Sequence, residues 1–235
     1  GHHLALSETP VFVEGIDLAL ARFRAGILLD PGEIEARHRA HECELVIANP
    51  WPAAITGAIV LEPPTGLSTQ PEHVRFSISA GSTFRVPLRV ITSRTVPTGS
   101  LALTAHVAFE GTLDYRLETP VPLVIDWPDV QVTATWQIIH DVERGRDDIL
   151  IRLWATNRSD QPVSLDAFVL APTVRRARQT IPSLAPGATT SQAFRFPEGV
   201  AALAGHTLRY GVTERDGTAQ VNRTLTIPAG IGAPP

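Results

Sequence analysis

The stretch Glu35–Pro50, EARHRAHECELVIANP, holds His38, His41 and Cys43 together with the acids Glu35, Glu42 and Glu44. It reads either as a metal-ligand cluster or as the start of an ordinary strand, and the choice decides the fold. Side chains alternate along a strand, so residues two apart share a face. On that period His41, Cys43, Leu45 and Ile47 form a core face, while Glu42 and Glu44 lie outside with His38. The two histidines then point to opposite sides of a sheet. His41 and Cys43 supply two ligands where a structural zinc site takes four, and the sequence has no CxxC, no HExxH and no second Cys/His cluster. The stretch is read as a strand with Cys43 buried, and no metal or other cofactor is expected.

The register rests on a second copy of the pattern. GSLALTAHVAFEG (Gly99–Gly111) and GHTLRYGVTERDG (Gly205–Gly217) are both glycine, eleven residues, glycine, 106 positions apart. ISAGSTFRVPLRV around Gly81 matches SLAPGATTSQAFRF around Gly187 at the same offset. ECELVIANPWPAAITGAIVLEPP matches ILIRLWATNRSDQPVSLDAFVLAPT, with Asn49 and Asn157 offset by 108. In the second copy Ile149, Ile151, Leu153 and Ala155 make the apolar face, and Arg152 and Trp154 point away from it.

Segments repeated in the same order predict two domains of one fold: residues 1–126, with an N-terminal extension, and residues 127–235. The junction falls in VPLVIDWPDVQVTA, where Trp127-Pro128 stands between the last strand of one copy and the first of the next. VRFSIS, TFRVPLRVI, SLALTAHVAF, VQVTATWQII, DILIRLWAT, TLRYGVTE and VNRTLTI all have strand character, and the 20 prolines and 17 glycines punctuate them. IDLALARF fits a helix with Asp17 as N-cap and Ile16, Leu20 and Phe23 on one face, and fits a strand almost as well. The fold class expected is all-β, with two tandem immunoglobulin-like β-sandwich domains.

Composition narrows function mainly by exclusion. Across 235 residues, 43% hydrophobic and 19% charged content is that of a globular chain, and a net charge of −4 with no basic stripe gives no reason to expect nucleic acid. Arg175, Arg176 and Arg178 in TVRRARQT are read as coating a strand or loop. No apolar run approaches the ~20 residues of a membrane span. All 20 basic residues are arginine, which, with abundant Ala, Pro and Gly, points to a GC-rich bacterial genome. Methionine is absent and Gly1-His2-His3 reads as the scar of a tag, so a fragment or processed product is expected. Cys43 is the single cysteine and excludes an internal disulfide. Sequons at Asn157 and Asn222 matter only in a eukaryotic secretory pathway.

Candidate chemistry is sparse. The sequence has no GxSxG, P-loop or GxGxxG motif; GLSTQ at Gly66 lacks the last glycine of the first. HDVERGRDD, His140–Asp148, gathers carboxylates, but Arg144 and Arg146 interrupt them and Gly145 sits where a hairpin turns, so a solvated, self-neutralised hairpin is expected. Trp136 alternates with Val132, Ala134 and Ile138 and is assigned to the core. Trp127 is assigned to the domain junction. Trp51, on the NPWP loop, and Trp154, beside Arg152 on an outer face, are the ligand-binding candidates, because exposed aromatic planes are what sugar rings stack against.

At DPGEIEARHRAHECELVIANPWPAAITGAIVLEPPTGL…ISAGSTFRVPLRVIT the chain, over roughly residues 27–125, resembles the NPCBM-associated immunoglobulin-like domain appended to bacterial glycosidases. Leu67 stands where that family has tryptophan after PPtG. Through NRSDQPVSL…LAPG the second copy also resembles CARDB-type adhesion modules, and LSETPVFVEGID resembles the strand that closes a catalytic barrel in multidomain glycoside hydrolases. The resemblance implies a non-catalytic spacer or interaction module of a larger exported bacterial protein, extracytoplasmic, with an upstream catalytic domain of the same polypeptide as partner and polysaccharide as a further one. The alternatives are a carbohydrate-binding module using Trp51, Trp154 and Arg152, and a β-sandwich hydrolase.

Overall fold

The computed structural model describes residues 17–110, 114–172 and 174–231, with the side chains of 174–176 outside the description. Gly1–His3, Ile16, most of LSETPVFVEGID, and the side chains of Arg175 and Arg176 therefore lie outside the described residues.

Among the described residues the chain is all-β apart from two short helices. In order come α1 (Leu18–Ala25), β1 (Ile27–Asp30), β2 (Glu33–Glu35), β3 (Ala40–Ala48), β4 (Ile55–Glu62), β5 (Leu67–Gln70), β6 (His73–Ile78), β7 (Thr83–Thr92), β8 (Gly99–Glu110) and β9 (Tyr115–Asp126). Then follow β10 (Val130–Asp141), β11 (Arg146–Asn157), β12 (Val163–Ala171), β13 (Val174–Leu184), β14 (Thr189–Phe196), α2 (Gly199–Leu203), β15 (Thr207–Glu214) and β16 (Gln220–Thr226). All seven strand-like stretches named from sequence lie largely or wholly in strands. IDLALARF takes its helical alternative: Asp17 Oδ1 accepts from the Leu20 N–H at 3.0 Å, and the Gly26 N–H closes the last turn on Arg22 and Phe23 carbonyls.

Strand pairing divides into two sets. The first consists of sheets ordered β1-β3-β7-β5 and β2-β9-β8-β4-β6, the second of sheets ordered β10-β11-β14 and β13-β12-β15-β16. The order β1-β3-β7 has its counterpart in β10-β11-β14, and β9-β8-β4-β6 in β16-β15-β12-β13. The first set adds α1, β2 and β5 to that common plan. Burial alternates along many strands, and in each set the two sheets face one another across buried side chains, the arrangement of a β-sandwich fold. Strand prolines mark where neighbours stop. Pro87 lies beyond the reach of β5, Pro120 and Pro122 lie beyond the reach of β2, and Pro182 is on the edge strand β13.

The repeat extends to single side chains. Asn49 Nδ2 donates to the carbonyls of Ala53 (2.9 Å), Ile78 (3.1 Å) and Ser79 (3.0 Å), and its Oδ1 accepts from the Trp51 N–H at 3.0 Å. Asn157 Nδ2 donates to Gln161 (2.7 Å) and Leu184 (2.9 Å), and its Oδ1 accepts from the Ser159 N–H at 2.9 Å. Each buried amide thus pins a strand end to the following loop and to the far side of the sandwich, satisfying main-chain groups that water cannot reach.

Between the sets, the β15–β16 hairpin meets the chain before β3 and the loop after β7. Arg37 and Ala219 form an isolated bridge, the Gln220 N–H donates to Ala36 O at 2.8 Å, and the Thr98 N–H donates to Asn222 O at 2.8 Å. Asn222 Nδ2 reaches the carbonyls of Arg94 at 3.2 Å and Val96 at 2.9 Å. One contiguous body of buried side chains runs from Phe23 to Ile227 through Trp127.

Candidate functional site

The opening stretch forms β3 with the expected register. His41, Cys43, Leu45 and Ile47 are buried, Glu42 meets Arg89 at 2.8 Å, and Glu44 meets Arg85 at 2.8 Å. His41 Nε2 lies 3.0 Å from the Arg37 carbonyl, and burial lowers its pKa below the ordinary 6.5. Burial likewise pushes the Cys43 thiol up, with Glu42 and Asp30 adding to the effect. His38 stands just before the strand, its Nδ1 2.6 Å from the Thr92 carbonyl. Among the described residues no group of three or more His, Cys, Asp or Glu is arranged to hold a metal ion.

Trp51 is not the free platform its loop position implies. It is half-buried in a ring cluster, with centroids 5.2 Å from Phe23, 5.2 Å from Phe109 and 5.8 Å from Tyr115. Phe23 arrives on α1 and Tyr115 on β9, where its hydroxyl donates to Asp17 Oδ2 at 3.2 Å. Gly57 makes room for the cluster, since a Cβ there would sit 2.5 Å from the Cβ of Phe109. Four rings packed at these distances form a hydrophobic lid on one end of the first sandwich.

Trp154 and Arg152 do lie on an outer face, that of β10-β11-β14. Trp154 is half-buried between Thr133 and Ser191 on the flanking strands, and exposed Arg152 lies between Thr135 and Ala193. Around Trp154 the face is an aromatic ring set among hydroxyls, with Arg152 beside it and Arg195 further along β14. Trp127 is buried between β9 and β10, and its Nε1 has no hydrogen-bond partner among the described residues. Trp136 packs against the core, but Ile138 is 39% exposed and departs from the expected alternation. The reason lies in β10, an edge strand whose cover thins toward the hairpin, where Val142 is 81% exposed.

HDVERGRDD turns as a hairpin at Gly145, which has φ +57°, yet one of its carboxylates is not solvated. Asp148 is fully buried; its Oδ2 takes the Arg195 Nε at 2.6 Å, and its Oδ1 takes the Glu198 N–H at 2.9 Å. Burial works to raise its pKa, but these donors and Arg146 outweigh that and hold it below the usual carboxylate value. The group anchors the turn before α2, a role that alternation within the hairpin cannot reveal.

Two adjoining troughs, of about 620 and 490 Å³, cross the outer face of the five-stranded sheet over Ala58 and Ala108. Arg75, Tyr115 and Arg116 wall the first, and His106 and Glu118 the second. His106 sits between Glu62 (2.9 Å) and Glu118 (3.2 Å); the bond to Glu62, above all, raises its pKa. Sequence reading did not single out these residues. The small side chains that open the troughs come from strands far apart in the chain, and only the pairing Ala58–Ala108 brings them together. No helix among the described residues is long and apolar enough to cross a membrane.

No family model and no curated protein matches the chain. Among solved structures, red sea bream transglutaminase is similar over 82% of this chain and 30% of its own, with 9% identity and a TM-score of 0.34. The chain therefore spans under a third of that enzyme. The YadV chaperone is similar over 85% of this chain and 98% of its own, at 11% identity and a TM-score of 0.29. The Pseudomonas aeruginosa CupB2 chaperone is similar over 83% and 96%, at 11% identity and a TM-score of 0.28.

Proposed function

We propose that the chain is a tandem of two immunoglobulin-like β-sandwich domains, divided at Trp127, that serves as a non-catalytic spacer or interaction module of a larger exported bacterial protein. In this reading it lies outside the cytoplasm, next to a catalytic domain of the same polypeptide. The observation that carries the reading is the lock between the strand sets: Asn222 bonded to Arg94 and Val96, and the Thr98 N–H bonded to Asn222 O. A spacer transmits geometry only if its units do not swivel, and a linker as short and as poor in Gly and Ser as IDWPD favours that stiffness. The test is small-angle scattering on the 235-residue chain and on Asn222→Ala, with assay against glycoside and ester substrates. One narrow distance distribution that broadens in the variant, without turnover, supports the spacer. A broad distribution in the parent chain, or turnover abolished by one carboxylate or serine change, overturns it.

A second reading, glycan binding, is favoured by Trp154 lying between Thr133 and Ser191 on an open sheet face. Retardation in polysaccharide affinity gels that disappears in Trp154→Ala and weakens in Arg152→Ala supports it; unchanged mobility in every gel counts against it.

A further inference from the structure

We propose that the junction of the two strand sets carries a binding site for a small ligand bearing a tetrahedral oxyanion, a phosphate or sulfate group. A cavity of about 360 Å³ opens where the loop after β7 meets β15 and the turn that follows it. Its lining carries four arginines, Arg94, Arg178, Arg209 and Arg215, against the single carboxylate of Glu214. That concentration of positive charge stands on a chain whose net charge is −4. Arg178 is neutralised by Asp166, and Glu214 by Arg37 at 3.0 Å. Arg94, Arg209 and Arg215 form no ion pair within contact distance among the described residues. Arg209 Nε is buried without a hydrogen-bond partner among the described residues, a donor whose desolvation none of them offsets.

These features belong to one design. Arg94 comes from one strand set, Arg209 and Arg215 from the other, and Asn222 holds the Arg94 carbonyl at 3.2 Å. Gly217 lets the Glu214 carboxylate fold back over the turn, because a Cβ there would lie 1.9 Å from Glu214 Oε2. With Glu214 drawn to Arg37, Arg94, Arg209 and Arg215 line the cavity with no ion pair in contact among the described residues, Asp166 acting on Arg215 only at longer range. A guanidinium presents a fork of donors suited to phosphate-like oxygens, and three of them suit a group with three or four oxygens better than a two-oxygen carboxylate. The volume sits at the small end of ligand sites. The site stands independently of the spacer reading, since it requires only that the two sets meet as they do.

Isothermal titration and thermal unfolding of the full chain, with sodium phosphate, sodium sulfate and phenyl phosphate against sodium chloride at equal ionic strength, test the proposal. Saturable binding and a saturable rise in Tm are expected for the tetrahedral anions. Arg94→Gln and Arg215→Gln, both at exposed positions, are each expected to weaken binding about 10-fold, the size of one charge-assisted hydrogen bond. Arg89→Gln, outside the cavity lining and paired with Glu42 at 2.8 Å, leaves it unchanged. Tighter binding of phenyl phosphate than of phosphate assigns the site to an ester, and the reverse assigns it to the free anion. Responses that do not saturate, that chloride reproduces, or that survive Arg94→Gln/Arg215→Gln at full affinity overturn the site.

Discussion

The Arg37 guanidinium and the Glu214 carboxylate, 177 positions apart in the chain, meet at 3.0 Å, and Glu35 holds the other side of the same guanidinium. Both partners are about one-quarter exposed, at 26% and 29%, so the pair is worth more than a fully solvated one and far less than a buried one. A double-mutant cycle of Arg37→Ala and Glu214→Ala, followed by urea unfolding, should give a coupling of about 1 kcal/mol. A coupling of zero would mean that the contact does not tie the sets together.

Asn49 and Asn157 should respond alike to removal. Each Asn→Ala change strands buried carbonyls, and a loss of about 2–3 kcal/mol is expected from each. Because the sites lie in different strand sets, the losses should add in the double variant. Denaturant midpoints of the two single variants and the double variant check this. A large loss at one site and none at the other would break the functional equivalence of the repeat.

Two histidines should titrate in opposite directions. The pKa of His106 is raised, so its contribution to stability is complete below the unfolded value of 6.5 and disappears as pH rises through the folded one. The pKa of His41 is lowered, so the unfolded chain takes up its proton first; stability is full above 6.5 and falls as pH drops below it. Imidazole resonances followed by NMR from about pH 5 to about pH 8 should show His106 titrating above and His41 below an ordinary histidine. Glu62→Gln should bring His106 back toward the ordinary value. Coincident titration of the two would contradict the geometry.

Cys43 should be inert in the folded chain. Its thiol is buried and its pKa raised, both of which suppress thiolate attack. Labelling by a disulfide reagent in native buffer should run about 100-fold slower than in urea, because it must wait for opening of β3. Comparable rates would mean that the strand is open to solvent.

Strand periodicity made His41, Cys43, Ile149 and Ile151 legible, because a face buried by a second sheet imposes period two on the residues that fill it. It failed at Ile138, where an edge strand has little to cover it, and it gave no signal for β2 and β5, which are three and four residues long. The packing of Trp51 is illegible for a different reason. Its covering rings, Phe23 and Tyr115, lie on elements distant in sequence, and no local pattern reports a neighbour supplied by the fold. The arginines of the junction cavity were illegible for the same cause: Arg94 and Arg209 are 115 positions apart, and only the docking of the β15–β16 hairpin makes them neighbours.

The strand prolines have a consequence for colloidal behaviour. A chain made almost entirely of strands risks zippering edge to edge with its copies, and many proteins blunt such edges with lysine. This chain has no lysine. Pro87, Pro120, Pro122 and Pro182 each withdraw an N–H from a border that lacks a neighbour, so an incoming strand finds gaps where it needs donors. At these four positions the chain thereby resists pairing with an incoming strand, and it does so with backbone chemistry that salt cannot screen.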